Sequence, residues 1–137
     1  VLALKATVHT NSRSIAADDF FTGMFETALE EDEIIESISF SKPTKANYVK
    51  FPNPASRYAM VGVFVAKFGE GVRVAVTGAG EGGVFRHKEM ETALSSNYSS
   101  DSLSSLNIAS DGLISDLHAS AEYRANLIKE MTKRAVV

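Results

Sequence analysis

Alternating apolar and polar residues predict short strands near the start of the chain. Residues 2–9 alternate as a half-buried strand does, and a polar turn separates them from a short partner strand at 14–16. The run 34–40 alternates again and ends before Pro43, so we expect a strand with one buried face. The acidic residues 30–33 that precede this strand are expected to form a solvated turn.

The middle of the chain is predicted to form an antiparallel meander. Apolar and β-branched residues fill three runs, and the last two runs are separated by Gly-Glu-Gly at 69–71. A turn of that composition between β-rich runs favours a hairpin. The expected strands are 48–51, 58–68 and 72–77.

The last part of the chain changes to helical spacing. We expect a short helix at 88–94, a Ser-rich linker at 95–105, a helical segment at 106–114 and a longer helix from about Ser120. Strands followed by helices predict an α+β fold, in which an antiparallel meander is followed by three helices packed on one face. An apolar stripe predicts the buried side of the last helix: Leu117, Ala121, Leu127, Ile128, Met131 and Ala135.

A Lys- and Pro-containing link divides the two groups of strands near residues 43–47. We therefore expect one unit at 1–43 and a second at 44–137. The chain begins with valine and has no charged leader ahead of an apolar stretch, so we interpret it as a piece of a longer protein. Its 137 residues, 45% of them apolar, suffice for one sizeable core.

Composition and charge narrow the functional classes. The formal net charge of −3, with mixed signs, gives no basic surface for nucleic acid. No apolar run approaches the roughly 20 residues that a membrane-spanning helix requires. The chain has no cysteine, so any iron–sulfur cluster would have to lie on a partner. This composition favours a reducing compartment, and we expect a cytoplasmic protein.

A glycine motif at residues 78–83 satisfies the pattern of a dinucleotide site and follows a predicted strand. Such a site needs the last glycine to open a long helix within a parallel βαβ unit. Here residues 84–86 are β-like, no parallel strand returns, and Glu81 would repel a phosphate. We interpret the motif as a flexible turn.

No other constellation in the sequence indicates catalysis or metal binding. His9, His87 and His118 lie far apart and lack the spacing of a helical metal face, so we interpret them as surface or capping residues. A Gly-x-Ser-x-Gly nucleophile turn is absent, and the acidic turn at 30–33 lacks the ligand order of a calcium loop. We predict no catalytic residue and no metal site in this chain.

Three stretches have unusual combinations of residues. The first joins Asp-Phe-Phe-Thr-Gly at 19–23 with Thr-Ala-Leu-Glu at 27–30 and Glu-Ile-Ile at 33–35. The second is Tyr-Val-Lys-Phe-Pro-Asn-Pro-Ala-Ser-Arg-Tyr-Ala-Met-Val-Gly-Val at 48–63, and the third is Ser-Ala-Glu-Tyr-Arg at 120–124. Together they resemble the medium, FAD-binding subunit of aerobic carbon monoxide dehydrogenases, molybdenum hydroxylases related to the xanthine dehydrogenases. The resemblance covers essentially the whole chain but less than half of a typical subunit.

The resemblance implies a role in electron transfer. Residues 1–43 would be the tail of an FAD-binding subdomain, and 44–137 the C-terminal α+β domain that closes over part of the site. Electrons would leave a molybdenum cofactor on a large subunit, pass through [2Fe-2S] clusters on a small subunit, reach FAD and continue to an external acceptor. The main FAD phosphate loops would lie upstream, so this piece alone is expected to be inactive.

Three residues match positions near the flavin in this family. Lys50 would stabilise negative charge on the reduced isoalloxazine, although it could be simply an exposed strand lysine. Tyr58 would pack against the ring, with a core or interface tyrosine as the alternative. Ile35 would lie near the flavin, but an alternating strand would bury it in any case. Arg57 receives no role, and Pro-Asn-Pro-Ala-Ser at 52–56 differs from well-known carbon monoxide oxidisers, which leaves the substrate open.

An alternative hypothesis is an assembly module that docks the flavoprotein to its partner subunits without touching FAD. Lys50→Ala in the full subunit would reduce flavin affinity under the first hypothesis, whereas subunit association would suffer under the second. We also expect that the first strand lacks neighbours, and such an exposed edge could promote self-association.

Overall fold

The computed structural model describes residues 1–136, so Val137, the last residue of the predicted second unit, lies outside the described residues. The N-terminal part forms a three-stranded and a two-stranded sheet, both antiparallel. The elements of this part are β1 (Thr7–Thr10), β2 (Ser14–Ala16), α1 (Ala17–Phe20), β3 (Phe21–Gly23), β4 (Glu26–Thr27) and β5 (Ile35–Ser39). The larger sheet has the spatial order β2-β1-β5, and β3 pairs with β4 in the smaller one.

The N-terminal sheet confirms one pairing and corrects two expectations. Strands β1 and β2 pair as predicted, with Val8 opposite Ile15. However, β1 lies between β2 and β5, so the first strand is central and not an exposed edge. The predicted buried face of β5 is also wrong, since Ile35 and Ile38 remain 40% and 38% exposed. The small apolar cluster of this sheet, which includes Phe20, does not extend over β5.

The principal sheet contains β6 (Lys45–Pro52), β7 (Ala59–Phe68), β8 (Gly71–Gly80) and β9 (Gly83–Arg86) in this spatial order, and each neighbouring pair is antiparallel. The predicted hairpin at 69–71 is confirmed, because Phe68 pairs with Gly71 across a two-residue loop. Strands β6 and β8 are longer than their sequence patterns predicted, whereas β7 begins one residue later than predicted.

The glycine motif forms part of a β-hairpin, and only its middle residues lie in the turn. Its first three residues, 78–80, belong to β8, and β9 returns antiparallel after Glu81 and Gly82. Gly78 has a φ of 79°, and a Cβ at that position would collide with the carbonyl oxygen of Ala59. Glycine is therefore required at this irregular point of the ladder.

Helices follow the meander, as the α+β prediction requires. The helices predicted at 88–94 and after Ser120 are confirmed, and the Ser120 hydroxyl caps the last helix by accepting a hydrogen bond from the backbone of Tyr123. The segment 106–114 is irregular instead of helical, and Leu113 bridges to β8. The third helical element is a 3-10 turn within the predicted linker. The elements are α2 (Lys88–Ser96), the 3-10 turn (Ser100–Leu103) and α3 (Ala121–Ala135).

The main core lies between one face of the principal sheet and α2, α3 and the 3-10 turn. The stripe predicted for α3 is confirmed except at Leu117, which precedes the helix and is 90% exposed. On the opposite face, Leu2 and Ala3 of the N-terminal segment form an apolar cluster with Phe68 of the sheet. The largest fully buried apolar side chains belong to the main core, apart from Val8: Met90, Leu94, Leu103, Ile128, Met131, Val61, Val63, Val65, Val74 and Val76.

Candidate functional site

Lys50 lies on the face of the principal sheet that points away from the helices. Val49 and Phe51 pack against the main core, so the alternation of side chains along β6 places Tyr48 and Lys50 on the other face. Lys50 is exposed there and pairs with Gly62 of β7. The N-terminal segment does not bury this part of the sheet, since Tyr48 remains 46% exposed.

The loop between β6 and β7 is closed by its own hydrogen bonds. The backbone N–H of Asn53 donates to the carbonyl oxygen of Tyr58 at 2.7 Å, and the N–H of Arg57 donates to the carbonyl oxygen of Asn53 at 2.8 Å. The Asn53 side-chain oxygen accepts from the backbone N–H groups of Ala55 at 3.0 Å and Ser56 at 3.4 Å. Asparagine suits this position because its short side chain can bond to the backbone two residues on.

This loop brings the Lys50 side chain to the residue that precedes Tyr58. The Lys50 ammonium group donates to the carbonyl oxygen of Arg57, the residue before Tyr58, at 3.0 Å. Tyr58 is 81% exposed, which excludes the core-tyrosine interpretation for this chain. Ile35 lies on β5 of the N-terminal sheet, whereas Lys50 lies on β6 of the principal sheet. The 40% exposure of Ile35 leaves it accessible instead of buried within its strand.

The charge of Lys50 is not neutralised by an ion pair among residues 1–136. Its hydrogen-bond partner is a neutral carbonyl oxygen. By contrast, several other cations on the described surface are paired with carboxylates, such as Arg13 with Glu33 and Arg86 with Glu91. The uncovered face of β6 therefore presents one positive charge beside exposed aromatic groups.

An apolar cleft of about 330 Å³ adjoins this face. The N-terminal residues 1–4 form one wall, and Tyr48 and Phe64 line the sheet side, with ring centroids 6.4 Å apart. Gly62 allows the Tyr48 side chain to lie across the sheet, because a Cβ at Gly62 would approach the Tyr48 hydroxyl to 2.5 Å and Thr77 Cγ2 to 2.9 Å. Tyr48 is a further residue of this face that was not predicted, although its position two residues before Lys50 in an alternating strand places both side chains on one face.

The histidines do not form a site. His9 bridges strands of the N-terminal sheet, with its ring nitrogens 2.9 Å from Ser14 Oγ and 2.8 Å from Ser39 Oγ. It is therefore not merely a surface or capping residue. His87 precedes α2, and burial lowers the pKa of its imidazole. Within residues 1–136, no group of three or more His, Cys, Asp or Glu side chains is arranged to hold a metal ion.

Glu33 corrects the interpretation of the acidic stretch as a solvated turn. Its side chain is only 2% exposed and accepts hydrogen bonds from Thr10 at 2.6 Å, Ser12 at 3.0 Å and Arg13 at 2.9 Å. The hydrogen bond from Arg13, followed by that from Thr10, holds the pKa of Glu33 far below its ordinary value. Glu33 is thus a structural anchor of the β1–β2 turn.

Comparison with known proteins decides the family. No family model matches the chain. The nicotine 6-hydroxylase medium subunit of Paenarthrobacter nicotinovorans is 34% identical over 152 aligned positions, which cover 100% of this chain and 53% of that protein. The predicted resemblance to molybdenum hydroxylase medium subunits is thereby confirmed. The chain spans about half the length of this curated relative.

A solved structure shows the same fold. The chain is similar to quinoline 2-oxidoreductase from Pseudomonas putida 86, with a TM-score of 0.76 and 24% sequence identity. The match covers 98% of this chain and 52% of that one. In the part of the chain that the structure describes, no helix has the length and apolar character needed to cross a membrane.

Proposed function

We propose that this chain is the C-terminal half of the FAD-carrying medium subunit of a cytoplasmic molybdenum hydroxylase. The parent complex is an oxidoreductase in which a large subunit holds the molybdenum cofactor and a small subunit holds [2Fe-2S] clusters. The 34% identity to a hydroxylase medium subunit along the whole chain is the observation that carries the proposal. The medium subunit receives electrons from the clusters and passes them through FAD to an external acceptor.

The uncovered face of β6 fits the isoalloxazine ring of a flavin. FAD, when bound, supplies the redox chemistry, and the chain supplies charge and packing. The ammonium group of Lys50, which has no ion-pair partner among residues 1–136, would stabilise the negative charge of the reduced ring. The exposed ring of Tyr58 would offer a flat apolar contact while its hydroxyl group stays in water, and the exposed Ile35 would add an apolar contact from the N-terminal unit.

The phosphates of FAD need a different part of the subunit. The glycine motif at 78–83 is an antiparallel hairpin, so it lacks the helix N-terminus that binds a pyrophosphate. We assign residues 1–43 to the FAD-binding subdomain and 44–137 to the C-terminal domain. This assignment agrees with the start of the principal sheet at Lys45.

The relative's name bears on the substrate of the complex. Nicotine is an N-heteroaromatic compound, and this favours a substrate of that class over carbon monoxide. Reduction of the flavin in the purified complex, followed by absorbance after addition of nicotine or carbon monoxide, tests the assignment. Reduction by carbon monoxide alone would contradict it.

The test of the flavin role is Lys50→Ala in the complete subunit, assembled in its complex. Loss of the cation is expected to weaken FAD binding and lower the midpoint potential of bound FAD, because the reduced, negatively charged form loses stabilisation. Lys42→Ala, which removes another exposed lysine, is the matched control and should leave both quantities unchanged. Unchanged affinity and potential in Lys50→Ala would contradict the proposed role.

A second candidate function, subunit docking without flavin contact, is favoured by Phe25. This residue lies between β3 and β4, is 99% exposed and has a φ of 61°. An exposed phenylalanine in a strained turn suits a contact with another subunit. If docking is the function of this chain, Phe25→Ser will dissociate the complex in analytical ultracentrifugation, and Lys50→Ala will leave flavin affinity intact.

A further inference from the structure

The Lys50 ammonium group has one described anchor, the backbone carbonyl oxygen of Arg57 at 3.0 Å. A lysine side chain has four rotatable bonds, and an exposed one samples many conformations. A charge that must act at one atom of a cofactor needs to be held in place. A carbonyl anchor orients the ammonium group without cancelling its charge, as a carboxylate would.

The backbone at Arg57 is shaped for this contact. Its φ is 61°, in the left-handed region that residues with a side chain adopt uncommonly. The residue lies directly after the turn at 54–56 and just before Tyr58, and its carbonyl oxygen faces Lys50. The same residue uses its N–H to bond the carbonyl oxygen of Asn53 at 2.8 Å. Both backbone polar groups of Arg57 are therefore used, whereas no described bond uses its exposed side chain.

Asn53 fixes the loop that carries Arg57. Its N–H, its carbonyl oxygen and its side-chain oxygen together take part in four hydrogen bonds within the loop. The residues on both sides, Pro52 and Pro54, have restricted φ angles, which lowers the conformational freedom of the loop further. Removal of the Asn53 side chain would release two of these bonds, those to Ala55 and Ser56.

We propose that the loop at residues 53–58 positions Lys50 for the flavin, with the Arg57 carbonyl oxygen as the anchor and Asn53 as the residue that fixes the loop. The inference rests on the proposed function of Lys50. It assigns a role to the backbone of Arg57 and none to its guanidinium group. Asn53 and Arg57 are positioning residues that act on the cofactor through Lys50.

The experiment compares the midpoint potential of bound FAD among variants of the complete subunit in its complex. Arg57→Gly keeps the carbonyl and suits a positive φ, so the potential should stay at the wild-type value. Arg57→Pro forces φ to about −65° and removes the N–H, so it should lower the potential by at least half of the Lys50→Ala shift. Asn53→Ala should do the same. Thermal unfolding of each variant shows whether the complex remains folded.

A double-mutant cycle separates positioning from a merely structural effect. Once Lys50 is alanine, adding Asn53→Ala should cause no further shift in potential, because the loop acts through the lysine.

Additive shifts, or wild-type potentials in both Arg57→Pro and Asn53→Ala, would overturn the inference while leaving the role of Lys50 intact. A wild-type potential in Lys50→Ala would overturn the proposed function itself. A shift in Arg57→Gly as large as that in Lys50→Ala would show that the guanidinium group acts, which also contradicts the inference.

Discussion

Arg124 of α3 and Asp116 of the preceding loop form an ion pair of 2.8 Å that joins the C-terminal helix to the chain before it. The Arg124 side chain is only 4% exposed. It also donates to the carbonyl oxygens of Met60 on β7 at 2.8 Å and of Gly78 on β8 at 3.1 Å. One buried guanidinium group therefore links α3 to two strands at the point where the ladder of β8 becomes irregular.

Arg124→Leu is expected to destabilise the chain by roughly 2 to 4 kcal/mol, because the two strand carbonyls lose a charged donor and remain buried. Urea denaturation followed by circular dichroism measures the change. Arg134→Leu removes an exposed arginine from the same helix and should change the free energy of unfolding by less than about 0.5 kcal/mol. Equal effects of the two substitutions would contradict a specific role for Arg124.

Gly62→Ala is expected to displace Tyr48 and to cost about 1 to 3 kcal/mol, since the new Cβ would press on the Tyr48 hydroxyl and on Thr77. Near-ultraviolet circular dichroism would show the changed tyrosine environment. Gly69→Ala is the matched control, because a Cβ there meets no atom within 4 Å. If Gly62→Ala and Gly69→Ala were equally stable, the close approach of Tyr48 to β7 would be contradicted.

Glu33→Gln should lower the melting temperature at neutral pH, because a neutral amide replaces the carboxylate that accepts from Arg13 and Thr10. The folded-state pKa of Glu33 lies below its ordinary value of 4.5. The contribution of Glu33 to the free energy of unfolding is therefore fully present above about pH 4.5 and is lost as the pH falls through the lower, folded-state pKa. Melting curves between pH 7 and pH 3 should show that the gap between wild type and variant is constant down to about pH 4.5 and begins to narrow below it. Glu31→Gln, at an exposed neighbour, should show no gap at any pH.

The fold could be predicted where local periodicity decides the structure. The valine-rich runs of β7 and β8 and the apolar stripe of α3 have one stable arrangement, with the stripe packed on the sheet. The segment 106–114 was predicted wrongly because its spaced apolar residues resemble a helical face. Turn-forming residues such as Asn107 and Gly112, together with the long-range bridge between Gly80 and Leu113, determine its path instead.

The candidate site could be predicted only in part. Alternation along β6 places Tyr48 and Lys50 on one face, and this is accessible from sequence. The contact between Lys50 and Arg57 depends on a positive φ at a residue that is not glycine, and no residue type signals that conformation. The exposure of Ile35 was missed because an alternating pattern shows which face is apolar but not whether another element covers it.

Asp18 joins the N-terminal segment to the principal sheet through Arg73 at 2.8 Å and Arg86 at 3.1 Å. Burial acts to raise the pKa of Asp18, but the hydrogen bonds from Arg73 and then Arg86 outweigh it, so the pKa lies below its ordinary value of 3.8. The stabilisation from the ion pairs of Asp18 is thus fully present above about pH 3.8 and is lost as the pH falls through the lower, folded-state pKa. Because the carboxylate is 42% exposed, we expect Asp18→Asn to cost only about 1 kcal/mol.

The effect of Asp18→Asn should be local, since the substitution leaves the core between the sheet and α3 untouched. Hydrogen–deuterium exchange should become faster in residues 2–10 and stay unchanged in α3. Asp19→Asn, at the exposed adjacent residue, should change neither region. Faster exchange across α3 as well would mean that the N-terminal segment and the principal sheet unfold as one cooperative unit, and the ion pairs of Asp18 would then contribute to global stability instead of only to docking.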